Sequence, residues 1–261
     1  MEKHHQESIA KFIGIYQNDP TILAILLGGS IAHGFAKPDS DIDVTIIVDE
    51  AEYQKRKQEN KLAFSLWDIC NYPGGYVDCK VVSIDFLRMI IDRGSDPARY
   101  AYKDSNILFS RIDDLQKILE DIGRFPIRVK NTRRIRFVSQ LLAWKWYYSE
   151  AIKKQNQYLI YLSLQKIILF ACRIILNENN LLYPYHKWLL SVVRNARNKP
   201  EGFDESIEQV MAEHTPDFVK QFCDDVLHFV GVDEKLLDWP NQFLLDSELN
   251  WVEHEAPVDD L

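Results

Sequence analysis

The chain has 261 residues, of which 46% are hydrophobic and 27% charged, so it can bury one large or two small globular cores. Its net charge of −8 argues against binding long nucleic acids, which requires a basic surface. The four cysteines lie far apart and form no C-x-x-C pair. They indicate neither a disulfide framework nor a zinc cage, but reduced thiols in a cytoplasm.

The first half of the chain alternates helix and strand patterns. Ile9, Phe12 and Tyr16 recur at helical spacing, and a short apolar stretch then ends in two glycines, as a buried strand followed by a turn does. In chain order, the patterns predict a helix at 9–16, strands at 21–27 and 41–48, a helix at 50–60, strands at 62–69 and 76–83, and helices at 85–92 and 111–122. We therefore predict a first domain, residues 1–125, with a mixed β-sheet flanked by helices.

The second half shows helical patterns alone. Beyond Pro126 the strand patterns stop, and apolar residues recur at a helical period between Phe137 and Tyr148. Further helices are predicted at 158–176, 186–197, 204–213 and 215–230. The fold class is thus α+β, with an all-helical second domain at residues 126–261 and a loose end to its acidic tail.

One apolar stretch is long enough to raise the question of a membrane span. It runs from Tyr158 to Leu176, but Lys166 and Arg173 interrupt it, so we interpret it as a buried helix. The charged N-terminus has no apolar signal core. No membrane association is expected.

Charge is distributed unevenly along the chain. Residues 1–125 carry a net −5, residues 126–200 a net +12 and residues 201–261 a net −15. The basic middle segment either holds a triphosphate or packs against the acidic tail, and the charge pattern favours neither interpretation.

The stretch from Gly28 to Asp43 contains the residues that point to chemistry. After the first strand, Gly28 and Gly29 permit close approach of backbone N–H groups to an anion, and a short helix opening at Ser30 adds its N-terminal dipole. Asp41 and Asp43 follow on the next strand, where residues two apart project from one face. Two carboxylates beside a phosphate-binding turn suit Mg²⁺, and two such ions can serve phosphoryl transfer.

These residues resemble the DNA polymerase β-like nucleotidyltransferase superfamily. The pattern is Gly29-Ser30, then Asp41-Ile42-Asp43, then a third carboxylate, Asp78, on a later strand. The resemblance implies that Asp41, Asp43 and Asp78 are catalytic and bind Mg²⁺, two ions in all. Asp78 either completes the metal site or deprotonates the acceptor. Gly29 and Ser30 are implied to hold the β and γ phosphates of ATP or another nucleoside triphosphate.

Other residues of the first domain extend this interpretation. We also assign nucleotide binding to Gly28 and Ser40, which flank the same motif. Asp68 is a rival to Asp78 in the preceding strand. His33 stands where many relatives have arginine. It either contacts a phosphate or is a surface histidine with a local hydrogen bond, and we favour the second alternative.

The helical half resembles the C-terminal domains of small-substrate members, including the aminoglycoside and lincosamide nucleotidyltransferases. The similar piece is Leu176-Asn177-Glu178 followed by residues 182–188 (LYPYHKW). The resemblance implies that Lys187 reaches the triphosphate and that Tyr185 or Trp188 stacks on a base, the alternative being a solvated lysine and a core tryptophan. The aromatic stripe Trp144, Trp146, Tyr147 and Tyr148 is interpreted as core.

The predicted function is transfer of a nucleoside monophosphate, AMP from ATP, to a hydroxyl of a small-molecule acceptor such as an antibiotic, with release of pyrophosphate. The resemblance leaves alternatives open: a protein-AMPylating enzyme, a toxin-neutralising one, or a non-catalytic nucleotide-binding protein. No arginine stands at the spacing of a helical ribonuclease motif before any histidine. A homodimer is possible for such a domain pair.

Overall fold

The chain forms two compact units in a computed structural model that describes residues 1–252 and Glu255. The first unit comprises Met1–Arg124 and the second Phe125–Leu261. Pro126, where the strand patterns stop in the sequence, lies next to this division. The predicted loose end of the tail falls outside the described residues.

A five-stranded mixed sheet organises the first unit, all of which is described. Its strands are β1 (Ile22–Leu27), β2 (Ile42–Val48), β3 (Ala63–Leu66), β4 (Val77–Ser83) and β5 (Asn106–Ser110). Their order across the sheet is β3-β4-β2-β1-β5. The β2–β4 pair is parallel and the others are antiparallel, so the predicted mixed sheet is confirmed.

Helices cover both faces of this sheet. They are α1 (Lys3–Tyr16), α2 (Gly29–Ala32), α3 (Glu50–Gln58), α4 (Ile84–Arg93), α5 (Asp96–Tyr102) and α6 (Leu115–Gly123). On one face, Phe12 of α1 packs with alternate strand residues such as Ile46. On the other, Leu87 of α4 and Ile118 of α6 pack against Ile47. The period-two alternation of β2 thus sends successive side chains into separate cores.

Short polar side chains set where several of these helices begin. The Asp49 side chain accepts a hydrogen bond of 2.8 Å from the backbone N–H of Glu52, and Ser83 accepts one of 3.1 Å from Phe86. These bonds satisfy N–H groups that have no partner inside the helix. Ser83 is the last residue of β4, so it ends a strand and starts α4 at one position.

The prediction from sequence patterns omitted one helix and one strand of the first unit and made another strand too long. Helix α5 and strand β5 were not predicted, because α5 has only seven residues and β5 is exposed at both ends and lies at the sheet edge. Strand β3 ends at Leu66 rather than Ile69, which leaves Asp68 in an exposed turn. The apolar run of residues 62–69 therefore overstated the strand.

All regular secondary structure in the described part of the second unit is helical, as predicted. A 3-10 turn (Ile127–Val129) leads into α7 (Lys130–Lys153), α8 (Gln157–Glu178), α9 (Leu189–Arg194), α10 (Phe203–Ala212), α11 (Pro216–Val230), α12 (Trp239–Phe243) and a π-helical turn (Leu244–Glu248). The Thr215 side chain accepts a hydrogen bond of 3.4 Å from Phe218 N–H, which confirms the predicted N-cap of α11. The last two elements were missed within the acidic tail.

Helix α8 is long and apolar enough, by length and composition, to cross a membrane. Among its residues, Ile167, Ala171 and Ile174 are fully buried within this unit. They pack with residues of α7, including Leu141 and Val138. The prediction of a buried core helix is therefore confirmed.

Ion pairs connect the basic segment with the acidic one inside the second unit. Lys145 of α7 lies 2.9 Å from the carboxylate of Asp224 and 3.2 Å from that of Glu234. Arg136 lies 2.8 Å from Asp246. Part of the uneven charge distribution is thus explained by packing within the helical unit.

Candidate active site

The two central parallel strands place two carboxylates side by side. Asp43 is the second residue of β2 and Asp78 the second residue of β4, and the two are register partners. In both strands the neighbouring residues, such as Val44 and Cys79, are buried on the opposite face. The carboxylates therefore share one face, at the end where both strands begin. Ser65, opposite Asp78 on β3, donates a hydrogen bond of 3.4 Å to its Oδ1 atom.

Tyr76 brings the third carboxylate into this cluster. Asp41 lies one residue before β2, and the Tyr76 hydroxyl donates a hydrogen bond to it. That hydrogen bond and the charge of Asp41, with smaller contributions from Asp78 and Asp43, raise the pKa of Tyr76 above its usual value. The tyrosine hydroxyl is thus close to all three carboxylates and stays protonated beside them.

An exposed aromatic surface borders the carboxylates. The ring of Trp67 stacks on Tyr76 with centroids 4.5 Å apart and an interplanar angle of 24°. Trp67 is 63% exposed, which is unusual for so large an apolar side chain. Neither residue was selected from the sequence, because a single aromatic residue within a predicted strand has no pattern that separates it from the core. The only sequence signal was the position of Tyr76 two residues before Asp78.

The glycine turn is fitted to the Asp43 carboxylate. The backbone N–H of Gly28 donates a hydrogen bond of 2.9 Å to the Asp43 carbonyl, which ties the end of β1 to the start of β2. Gly29 has φ +59°, and a Cβ atom there would collide with the Asp43 carboxylate. Both observations require glycine at position 29, the first for its backbone and the second for its missing side chain.

The two predicted serines have different environments. Ser30 is 6% exposed, and its Oγ atom is buried with no hydrogen-bond partner among the described residues. Since buried hydroxyls are normally satisfied, the lack of a partner makes this atom a candidate for contact with a ligand. Ser40, by contrast, accepts a hydrogen bond of 2.8 Å from Lys37 N–H, and its carbonyl accepts one of 2.9 Å from the Tyr72 hydroxyl. Its hydroxyl already closes the loop before Asp41.

The preference for His33 as a surface residue is wrong. Its side chain is only 2% exposed and stacks on Tyr100 with centroids 4.5 Å apart. Burial lowers its pKa, and the Asp104 carboxylate, 3.7 Å from Nδ1, opposes that shift. His33 is the C-cap residue of α2, and its ring is covered by Tyr100 of α5. The expected local polar contact exists, but in a buried setting.

The donor atoms at this site fit Mg²⁺. Asp41, Asp43 and Asp78 offer hard carboxylate oxygens, while no three His, Cys, Asp or Glu side chains in the described part of the chain converge on one point as a ready-made metal site. Mg²⁺ commonly binds one or two carboxylates and completes its shell with water and substrate phosphates. The Asp43 carboxylate occupies the position of a Cβ atom at Gly29, and the buried Ser30 Oγ atom belongs to the next residue of the same turn.

The predicted ligands of the second unit are at least partly accessible. Lys187 is exposed, and its ammonium group lies 5.2 Å from the centroid of the Trp188 ring. Tyr185 is 58% exposed and adopts φ +64°. In the aromatic stripe of α7, Tyr148 is buried as predicted, but Trp146 is 51% exposed, which contradicts its assignment to the core.

Solved structures with a similar fold have low sequence identity to the chain. One is a nucleotidyltransferase-like protein from Exiguobacterium sibiricum 255-15, with 13% identity, a TM-score of 0.49, and coverage of 94% of this chain and 80% of that one. Another is spectinomycin adenyltransferase AAD(9) from Enterococcus faecialis, whose structure contains ATP and spectinomycin. It has 14% identity, a TM-score of 0.39, and coverage of 87% of this chain and 99% of that one. No curated protein sequence matches the chain.

A family model covers the part of the chain that contains the carboxylate cluster. The model, described as Polymerase beta, Nucleotidyltransferase, matches residues 10–95. This range includes the glycine turn, the three carboxylates and Tyr76, and most of the sheet that positions them. Residues 10–95 thus match the polymerase β nucleotidyltransferase family.

Proposed function

We propose that the first unit transfers a nucleoside monophosphate from a nucleoside triphosphate, with ATP as the first candidate, to a hydroxyl group of a small-molecule acceptor. The observation that carries the proposal is the register pairing of Asp43 with Asp78 beside Asp41 and the Gly29 turn. The match of residues 10–95 to a nucleotidyltransferase family supports it.

In this proposal, the turn after β1 holds the phosphates. Because Gly29 has no side chain, the Asp43 carboxylate lies directly against the turn, and the Ser30 Oγ atom donates to a phosphate oxygen the hydrogen bond for which it has no partner in the described chain. Helix α2 is a single turn, so individual N–H groups act here rather than a long helix dipole.

Asp41 and Asp43 would hold Mg²⁺ ions, two in the pattern that the sequence resembles. When bound, the metal neutralises phosphate charge that develops as the bond to the leaving group breaks. The carboxylates also repel one another in the absence of cations, so the site favours ligands that bring positive charge. Tyr76 orients Asp41 through the hydrogen bond of its hydroxyl.

Asp78 is our candidate for the general base. It takes the proton of the acceptor hydroxyl, whose oxygen forms a bond to the α-phosphorus while the bond from that phosphorus to the β-phosphate oxygen breaks. Pyrophosphate leaves with the electron pair of that bond. The hydroxyl of Ser65 donates to one Asp78 oxygen, which leaves the second oxygen for the incoming proton.

The acceptor is proposed to be a small hydroxylated molecule that packs on Trp67. An exposed indole stacked on Tyr76, next to three carboxylates, suits a ligand with a flat or cationic part. Hydroxylated cationic antibiotics are therefore the first class to screen. A protein side-chain hydroxyl as acceptor is the alternative, and labelled whole-protein extract tests it.

The proposal is tested by calorimetry of ATP, GTP, CTP and UTP with Mg²⁺ and by pyrophosphate release with the acceptor panel. Asp43→Asn is expected to lose metal-dependent nucleotide binding and turnover by at least about 100-fold, since it removes a ligand charge. Asp68→Asn is the matched control, because this carboxylate is exposed in a turn beyond β3, and it should behave as wild type. Equal activity of Asp43→Asn and wild type would overturn the proposal.

A further inference from the structure

A cavity of about 470 Å³ lies within the second unit, between α7, α8 and the C-terminal turns. Residues spaced three to four apart on one face of α7 line the cavity, including Arg136, Phe137 and Trp144. From α8, Lys166, Phe170 and Arg173 line it at the same spacing. Two helix faces that mix basic and aromatic residues therefore meet in one concave site.

The lining of this cavity is strongly basic. Among the described residues, four basic ones contribute to it: Arg133, Arg136, Lys166 and Arg173. The acidic residue among the described lining is Asp246, and it pairs with Arg136 at 2.8 Å. In the part of the chain that is described, no carboxylate lies within ion-pair distance of the Lys166 ammonium group. Such a concentration of positive charge in a concave surface attracts an anion.

Aromatic rings hold two of these cations in place. The Lys166 ammonium group lies 5.8 Å from the centroid of Trp144, and the Arg173 guanidinium lies 4.6 Å from that of Phe137 and 4.3 Å from that of Tyr183. Stacking on rings reduces the conformational freedom of long basic side chains before a ligand arrives. The same rings offer flat apolar faces to a planar ligand.

Polar groups at the rim complete the site. The Gln140 amide donates a hydrogen bond of 2.9 Å to Ser247 and accepts one of 3.2 Å from the Trp144 indole N–H, which ties the π-helical turn to α7. The Asn250 amide oxygen also lines the cavity, is buried, and has no hydrogen-bond partner among the described residues. A buried acceptor of this kind calls for a donor group on the ligand.

We infer that the second unit binds a small planar organic anion in this cavity, an aromatic phosphate or carboxylate that also carries a hydrogen-bond donor. The three carboxylates and Trp67 of the first unit suit a cationic acceptor, so one small acceptor does not satisfy both charge patterns. The inference does not depend on nucleotidyl transfer, because it rests on residues of the helical unit alone.

The test is calorimetry of 1-naphthyl phosphate with the full chain in EDTA at low salt. Lys166→Gln is expected to weaken binding about tenfold, as loss of a charge-assisted contact does, and Lys166→Arg to retain it. The matched control is Lys153→Gln, an exposed lysine of the same α7–α8 pair that lies outside the cavity and pairs with Glu150. Asp43→Asn should bind the probe as wild type does, which separates this site from the catalytic one.

Three outcomes would overturn the inference: equal affinity of wild type and Lys166→Gln, loss of binding in Asp43→Asn, or equal affinity for uncharged 1-naphthalenemethanol. Where Lys166-dependent binding is found, addition of ATP distinguishes two sources of the same chemistry. Competition identifies the natural anion as a nucleotide, and simultaneous binding identifies a separate aromatic acid. Hydrogen exchange of α7 and α8 should slow on probe binding in either case.

Discussion

At the scale of single residues, Gly29 and Gly34 form a matched pair for testing the glycine turn. Both have positive φ, +59° and +77°, but a Cβ atom at Gly34 meets nothing within 4 Å, whereas one at Gly29 collides with Asp43. We expect Gly34→Ala to cost about 1 kcal/mol of unfolding free energy and to leave nucleotide binding intact.

Gly29→Ala is expected to cost more, about 3 kcal/mol, and to abolish Mg²⁺-dependent nucleotide binding because it displaces a ligand carboxylate. Urea unfolding and calorimetry measure the two effects. If both alanine variants bind nucleotide equally, the close approach of Gly29 to Asp43 has no functional role.

His33 predicts a pH dependence of stability near neutrality. Burial lowers its pKa, so the native state favours the neutral ring. Its contribution to the free energy of unfolding is therefore present above the ordinary histidine pKa of about 6.5 and is lost as pH falls through the lower native value. Thermal unfolding at pH 7.5 and 5.5 should show this loss in wild type and a smaller one in His33→Phe. His228→Gln, an exposed histidine of α11, is the control and should match wild type.

At the scale of elements, the parallel pairing of β2 and β4 places like charges next to each other. Asp43 and Asp78 are register partners, so each destabilises the sheet when no cation is bound. We expect Asp78→Asn to raise Tm in EDTA by about 1–3 °C, while it removes activity.

Asp85→Asn, at an exposed position of α4, is the control for that measurement and should change Tm little, because its ion pair with Arg88 is exposed to solvent. A fall of Tm in Asp78→Asn would mean that its hydrogen bond with Ser65 outweighs the repulsion. Differential scanning calorimetry with and without Mg²⁺ separates these terms, since bound cations should cancel the gain.

The same strands show which parts of the fold and of the site could be predicted from the sequence. The alternating residues of β2 and the apolar run of β1 predicted their strands, because burial in the sheet selects apolar residues at these positions. Strand β5 lies at the sheet edge, and its sequence shows neither pattern. The third carboxylate could be proposed from the family resemblance, but its register with Asp43 could not, since pairing depends on tertiary contacts. Tyr76 and Trp67 were missed for the same reason.

At the scale of the whole molecule, acid should weaken the chain in two separate pH ranges. In the helical unit, burial works to raise the pKa of Glu178, but hydrogen bonds from Arg134, one of 2.7 Å, and from Asn177 outweigh it and lower that pKa. The pKa of Asp224 is lowered in the same way, since bonds from Lys220 and Lys145 outweigh its burial.

Both carboxylates thus contribute stability that is present above their ordinary pKa values, about 4, and is lost as pH falls through the lower native values. Urea midpoints measured from pH 7 to pH 3 should fall first with His33 and then with these groups. Glu178→Gln is expected to be less stable than wild type at pH 7, by about 1 kcal/mol. It should reduce only the decrease in urea midpoint at the lower pH range, where the carboxylates titrate. A single step that this variant leaves unchanged would contradict the assignment.

The fit of Gly29 to the Asp43 carboxylate makes the two positions mutually dependent, although thirteen residues lie between them. In a library randomised at both positions and selected for folding alone, larger residues at 29 should appear only together with small residues at 43. Asparagine, which tolerates positive φ, should be the most frequent of these larger residues at position 29. Selection for catalysis should eliminate such variants and recover glycine at 29 with aspartate at 43. Evolutionary change at either residue therefore has to pass through a folded but inactive intermediate.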